Sequence, residues 1–323
     1  MQDRIILAAI VVVGVPLVLF GYITLIEGLL RTIPGQRQTT IRPWLWLGPC
    51  LAFLLFYWIY PALETLRISF LGPNSENVVG LANYQRFFTD LNTLSALKNN
   101  VIWLIFATGL TVGLGLVIAV LTDRVPYESL AKALVFLPMA ISMVAAGVIW
   151  RFMYTYQPPG QPQTGTLNAF VTALGGQPQA WLVNQPLNTF AMIFAFVWMW
   201  TGFCMVILSA ALKGISTEIL EAARVDGATE LQVFRGIIVP MLGPTLAVVT
   251  TTMAITVLKL FDLVYVMTNG NFDTEVIANR MYKEMFNVHD FGRASSIAIV
   301  LLLAIVPVML FNLRQFRAQE AIR

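Results

Sequence analysis

Charge is scarce in this chain. Only 11% of its 323 residues are Asp, Glu, Lys or Arg, less than half the share usual in soluble domains, which excludes a solvated globular fold. Histidine is scarcer still: the single His289 lies in a polar stretch and leaves none for a zinc centre or a Ser-His pair inside an apolar region. The two cysteines, Cys50 and Cys204, both fall inside apolar runs, where thiols are expected to pack as small buried hydrophobes rather than form a disulfide or metal site. No Gly-x-x-x-x-Gly-Lys-Ser/Thr occurs, so the chain cannot cradle ATP phosphates in a P-loop. Energy for any work must come from a separate subunit or from an ion gradient. Gly-x-Ser-x-Gly, His-Glu-x-x-His and paired intramembrane carboxylates are also missing, which weighs against a membrane hydrolase. No catalytic residue, cofactor or metal is expected. Residues 152–212 carry no Asp, Glu, Lys or Arg at all. The net charge of +3 is too small to point to nucleic acid.

What the chain has instead is apolar length. At 58% hydrophobic, it contains seven runs near the roughly 20 residues needed to cross about 30 Å of hydrocarbon. They fall at about 5–26, 44–66, 100–121, 133–154, 187–212, 242–267 and 294–311. The expected fold is an all-α polytopic membrane protein of about seven transmembrane helices. The first run is too long for a signal peptide, and no small-residue cleavage site follows it. Arg31, Arg37 and Arg42 come next with no acidic residue among them, which argues for a cytoplasmic loop and an outside N-terminus. Counting supports that orientation: eleven Lys and Arg fall in the proposed inner segments and seven in the outer ones. Pro138 lies inside the fourth run, where neighbouring helices can satisfy the carbonyl it frees. Residues 156–186 are neutral and rich in Pro, Gly and Gln, with one short amphipathic helix expected at 166–174. They are either a plain connector or a docking lip for an external protein.

A long polar segment separates the fifth and sixth runs. In it, Thr217 is placed to cap a helix whose early turns hold Glu218 and Glu221, where the helix dipole favours carboxylates. Gly227 offers a positive φ to stop that helix, and Thr229 with Gln232 fits a capping box that starts another. Ala222 and Ala223 leave a smooth face over which a partner's cleft can close.

The spacing of Glu221, Ala222, Ala223, Gly227, Ile237 and Pro240, with Val239 where Leu is usual, resembles the Glu-Ala-Ala signature of the membrane subunits of bacterial ATP-binding-cassette importers. The segments Ser209-Ala210-Ala211-Leu212-Lys213-Gly214-Ile215, Lys259-Leu260-Phe261-Asp262 and Thr268 to Phe286 are similar to the carbohydrate-uptake, maltose and α-glucoside branch. The resemblance covers about 44–311 and implies a six-helix core with one extra helix ahead of it. The divisions it suggests are 1–43 (extra helix and cytoplasmic linker), 44–314 (core, with the coupling loop at 215–240) and 315–323 (cytoplasmic tail). It also implies a bacterial plasma-membrane location, a heterodimer with a second permease, two ATPase subunits, an external solute-binding protein and a sugar or glycoside substrate. Glu221, Ala222, Ala223, Asp226 and Gly227 would then form the coupling helix that docks on the ATPase.

The fifth and sixth runs flank that loop, so a transport cavity is expected between them. Trp200 and Phe203 are three apart and share a face, offering an apolar surface for a sugar ring. Thr256, Lys259 and Asp262 fall on one stripe of a continuous sixth helix, each able to bond hydroxyls. Ionisable groups at that depth are expensive and often functional; the competing reading is a self-neutralising i, i+3 pair. An ion-coupled secondary transporter remains the alternative class, although it would need ionisable relays in more spans than these two residues provide.

Overall fold

The structure, a computed structural model, describes residues 2–32 and 34–320 and is built almost wholly from helices. The last three residues of the tail, including Arg323, lie outside the described residues. Among the described residues there is no β-strand, only one isolated antiparallel bridge between Leu71 and Val78. The chain divides into two compact units, Met1–Glu64 and Thr65–Arg323.

In the first unit, α1 (Gln2–Arg31) turns at Pro34 into α2 (Gly35–Leu54). The Tyr22 hydroxyl donates to the Leu45 carbonyl, its ring meets Trp46 edge-on at 6.3 Å, and Arg42 pairs with Glu27 at 2.7 Å. The hairpin's basic turn is thus partly neutralised by an acid from the preceding helix. A π turn at Leu55–Ile59 leads into α3 (Tyr60–Ile68), just ahead of Pro61, whose missing N–H interrupts the regular ladder. Cys50 is exposed on α2, against the expectation of a buried thiol, because the hairpin has no further layer of its own to cover it.

The second unit begins with α4 (Ala82–Thr89) and α5 (Leu91–Thr122). Helix α5 starts earlier than its apolar run because Asp90 caps it, accepting from the Thr93 amide at 3.3 Å and its hydroxyl at 2.7 Å. Then come α6 (Glu128–Phe136), α7 (Met143–Met153), α8 (Thr166–Ala173) and α9 (Leu187–Leu212). The polar segment forms α10 (Thr217–Val225) and α11 (Glu230–Val233). A second π turn, Phe234–Ile238, again precedes a proline and leads to α12 (Val239–Met241). The chain continues through α13 (Gly243–Leu258), α14 (Asp262–Met267) and α15 (Ile277–Lys283) to α16 (Phe291–Glu320).

Five helical stretches are long and apolar enough to cross a membrane, and two bent pairs raise the number to seven. The expected count of about seven spans holds with each bent pair taken as one span: α6 with α7, and Glu230–Met241 with Gly243–Leu258, which bend by 72°. The fourth breaks between α6 and α7 with a 97° bend. Pro138 tightens the end of α6 into a 3-10 turn, Ile141 is extended, and Ser142 caps α7 by accepting from the Ala145 amide at 3.2 Å. The sixth, expected to be continuous over 242–267, breaks at Lys259–Phe261.

Helix α9 is the centre of the packing. Trp103 of α5 meets Phe196 edge-to-face at 5.9 Å, both fully buried. Glycines set how close the neighbours come: a Cβ on Gly115 would lie 2.6 Å from the Cβ of Cys204, and one on Gly202 would lie 2.5 Å from the Val135 carbonyl oxygen. Small residues of this kind let membrane helices meet backbone to backbone. Cys204 is buried there, as its sequence context predicts.

Residues 271–292 are largely helical. Asn99 donates to the carbonyls of Asp273 (2.7 Å) and Glu275 (2.9 Å), and the Asn100 side-chain oxygen accepts from the Ile277 amide at 2.8 Å. Arg293 donates to Asp90 and, at 3.1 Å, to Glu284, while Arg280 also bridges Asp90 and Glu284. Burial alone pushes the Asp90 pKa up, but the Thr93 hydrogen bonds and the charges of Arg293 and Arg280 outweigh it and hold the carboxyl below its ordinary value.

Candidate functional site: the coupling loop and the broken sixth span

Helix α10 is capped one residue earlier than the sequence suggests. Ser216, not Thr217, accepts from the Glu218 amide at 3.2 Å, because Thr217 already has helical geometry and its neighbour keeps the extended conformation a cap needs. The other end follows the expected chemistry. Gly227 has φ +84°, its amide bonds the Arg224 carbonyl at 3.0 Å and the Ala228 amide bonds the Ala223 carbonyl at 3.0 Å, the paired bonds of a Schellman ending. Thr229 and Gln232 form the capping box that opens α11.

Together these caps hold α10 and α11 as a bent pair presented outward. Glu221, Ala222, Asp226 and Gly227 are exposed, and so are the apolar Ile219, Val225 and Leu231. Ala223 is half-buried against the lower core with Leu220 and Ala228. The alanine pair therefore divides its work: Ala222 faces out, and Ala223 seats the helix on the bundle.

Two ionic ties, missed in the sequence reading, fix the loop to the body. Glu230 bonds Arg224 at 2.8 Å and also Arg124 in the α5–α6 turn. Glu128 of α6 takes both Lys132 and, at 2.7 Å, Lys213 just after α9. The Glu128–Lys132 pair was legible as a helical i, i+4 spacing; the pairings of Arg124 and Lys213 depend on the fold. A space of about 370 Å³ lies beside the second tie, lined by Lys132, Ser209 and Lys213 among others.

The residues expected to contact a solute are only partly brought together. Trp200 stacks on Phe196 with ring centroids 6.0 Å apart and meets Phe203 edge-on at 5.9 Å, so the fifth-span pair does form one aromatic surface. Thr256 spends its hydroxyl on the Thr252 carbonyl at 2.9 Å. Lys259 ends α13 and Asp262 begins α14, so the single stripe of Thr256, Lys259 and Asp262 does not exist. Among the described residues no ion pair joins Lys259 to Asp262, and neither side chain has another partner. The self-neutralising pair is excluded by the break, because i, i+3 proximity requires a continuous helix. The sequence reading also missed an aromatic cluster beyond the break, formed by Phe261, Tyr265, Tyr282 and Phe286. Among the described residues no three His, Cys, Asp or Glu side chains converge as metal ligands.

Comparison with known proteins agrees with this architecture. The chain is 56% identical over 279 residues to the osmoprotective compounds uptake permease protein GgtC of Synechocystis sp., covering 86% of this chain and 100% of that one. It is 47% identical over 276 residues to the alpha-glucoside transport system permease protein AglF of Rhizobium meliloti, covering 85% and 82%. A bacterial ABC transporter involved in the import of the acidic polysaccharide alginate contains a chain of the same fold, with a TM-score of 0.71 at 22% identity over 86% of this chain and 98% of that one. Residues 112–318 match the family described as binding-protein-dependent transport system inner membrane component. That stretch holds the fourth to seventh spans and the capped loop between α9 and α13, and the chain belongs to this family of ABC importer permeases.

Proposed function

We propose that this chain is one of two permeases in an importer that carries a small glycoside across the plasma membrane by alternating access, driven by two separate ATPase subunits and fed by an external solute-binding protein. The observation that carries the reading is the capped loop: α10 and α11 project Glu221, Ala222, Asp226 and the apolar Ile219 and Val225 to solvent from a rigid base. This is the surface an ATPase cleft would grip, with Glu221 making a charge-assisted contact to a basic group. Its position between α9 and α13 means that movement of the loop reaches the two helices expected to flank the path, as rocking transporters require. The orientation that accompanies the proposal puts the N-terminus outside and the C-terminus in the cytoplasm. Residues 1–43 would add a helix and linker to a core at 44–314, with the coupling loop at 215–240 and a tail at 315–323.

The solute class rests on chemistry and kinship. One relative is named for alpha-glucosides and another for osmoprotective compounds, and a neutral glycoside of the α-glucoside, sucrose, trehalose or glucosylglycerol type satisfies both descriptions. Trp200 and Phe203 supply the apolar face for a sugar ring, and Thr256, Lys259 and Asp262 on the sixth span are the polar groups the reading assigns to its hydroxyls. Membership in a binding-protein-dependent family disfavours ion coupling.

The experiment is solute-stimulated ATPase activity of the reconstituted complex across a panel of maltose, sucrose, trehalose and glucosylglycerol. Stimulation by one or more glycosides is the expected result; stimulation by none of them, with an ion gradient driving uptake instead, would overturn the proposal. Within it, Glu221→Lys should weaken assembly with the ATPase more than Glu221→Ala. Equal effects would assign the fit to shape alone.

A further inference from the structure

The break in the sixth span leaves a row of aromatic rings that no expectation assigned. Phe261 stacks on Tyr265 at 5.1 Å and meets Tyr282 at a tilt at 5.1 Å, Tyr265 meets Tyr282 at 5.3 Å, and Tyr282 meets Phe286 at 4.8 Å. The row joins α14 to α15 across the intervening turn. It is not core: Tyr265 is 40% and Phe286 57% exposed, while the opposite side of α14 is buried through Leu263, Val264 and Met267.

Depth and charge decide what such a face meets. Helix α13 has 16 residues and rises about 24 Å at 1.5 Å per residue, against about 30 Å of hydrocarbon. On the proposed orientation the break therefore falls in the outer half of the membrane. Lys259 is exposed there and Asp262 half-buried, and neither has a partner among the described residues. Unpaired ionisable groups at membrane depth face a water-filled cavity or the bundle interior, not lipid.

We propose that Phe261, Tyr265, Tyr282 and Phe286, with Lys259 and Asp262 at one end, form an outer subsite that receives the glycoside before it reaches the surface around Trp200. The rings supply stacking faces for the apolar side of a pyranose, and the tyrosine hydroxyls, the ammonium and the carboxylate supply partners for its hydroxyls. The inference rests on the glycoside reading above and adds where selection between glycosides takes place. An apolar permeant would have no use for the unpaired charges, and an inorganic ion none for four rings.

The test compares uptake of maltose, sucrose, trehalose and glucosylglycerol by the complete importer in proteoliposomes, with its binding protein, for the parent, Tyr265→Ala and Tyr282→Phe. Tyr265→Ala removes a stacking face and is expected to change the ratio of rates between the preferred and the poorest glycoside by up to about tenfold. Tyr282→Phe keeps the ring, loses one hydroxyl, and should shift the same ratio in the same direction by a few-fold. Uniform loss across all four glycosides, or no change in either variant, would make the row an anchor or a packing element and overturn the subsite. A parent that moves none of the sugars would overturn the glycoside reading itself, and the subsite with it, a result distinct from unchanged selectivity in an active parent.

Discussion

Two interruptions of helix lie either side of α13, and they are made differently. The one at Gly227 is written in local chemistry. A glycine at φ +84°, two paired backbone bonds and a capping box all sit within a few residues, on a surface loop with little to pack against. The one at Lys259–Phe261 has no glycine, no proline and no side-chain cap. There Leu260 and Leu263 are almost completely buried in the upper core with Phe196 and Val264, and the backbone turns so that both can reach it. The first interruption is set by backbone preference and the second by burial. In a membrane chain, only the first kind leaves a mark in the sequence.

That contrast can be tested by substitution. The largest effect is expected at Leu260, because removing most of a buried side chain that dictates the break forfeits about 2–5 kcal/mol. Leu260→Ala should lower the thermal stability of the purified chain and raise the proteolytic sensitivity of 259–268; a change within error would mean that the break does not depend on burial. Next comes Gly227. Nothing lies within 4 Å of a Cβ built there, so any cost is conformational, about 1–2 kcal/mol for a side chain forced into the left-handed region. Gly227→Val should assemble yet hydrolyse more ATP per solute moved, while Gly227→Asn, which tolerates positive φ, should stay near the parent. Equal behaviour of the two would separate the defect from backbone strain.

Thr229→Ala removes the capping box and is expected to destabilise the loop by about 1 kcal/mol, read as faster amide exchange in α11 with no change at the broken span. The smallest effect belongs to Glu230→Gln. Its partners Arg124 and Arg224 are largely solvent-accessible, and exposed ion pairs are screened by salt. The difference from the parent should fade as salt is raised; an effect larger than that of Thr229→Ala would make this tie, rather than the caps, the main support of the loop.

How much was legible follows the same line. Apolar run length located the spans, because bilayer thickness fixes it. Gly227, Thr229 and Gln232 were placed by residue type and spacing alone. The fourth-span bend was half visible: Pro138 gave the interruption, but neighbours were expected to absorb it, and the extended Ile141 with the Ser142 cap turned it into a 97° bend. The single stripe of Thr256, Lys259 and Asp262 failed because periodicity assumes a continuous helix, and the burial of Leu260 ended that assumption. The order of residues 271–292 was hidden too, since Asn99, Asn100 and Asp90 reach it from a helix nearly two hundred positions away.

The proposed coupling role makes the capped loop the place where an ATPase meets this chain. It is tested most directly by cross-linking from Ala222→Cys in the assembled complex, in a background carrying Cys50→Ser, since Cys50 is exposed and Cys204 is buried. A short bifunctional thiol reagent should join Ala222→Cys to the ATPase subunit, and the yield should change when ATP is bound. The same reagent should give no ATPase product from Phe286→Cys at the far side of the broken span. No product from Ala222→Cys, or one from Phe286→Cys, would overturn that role.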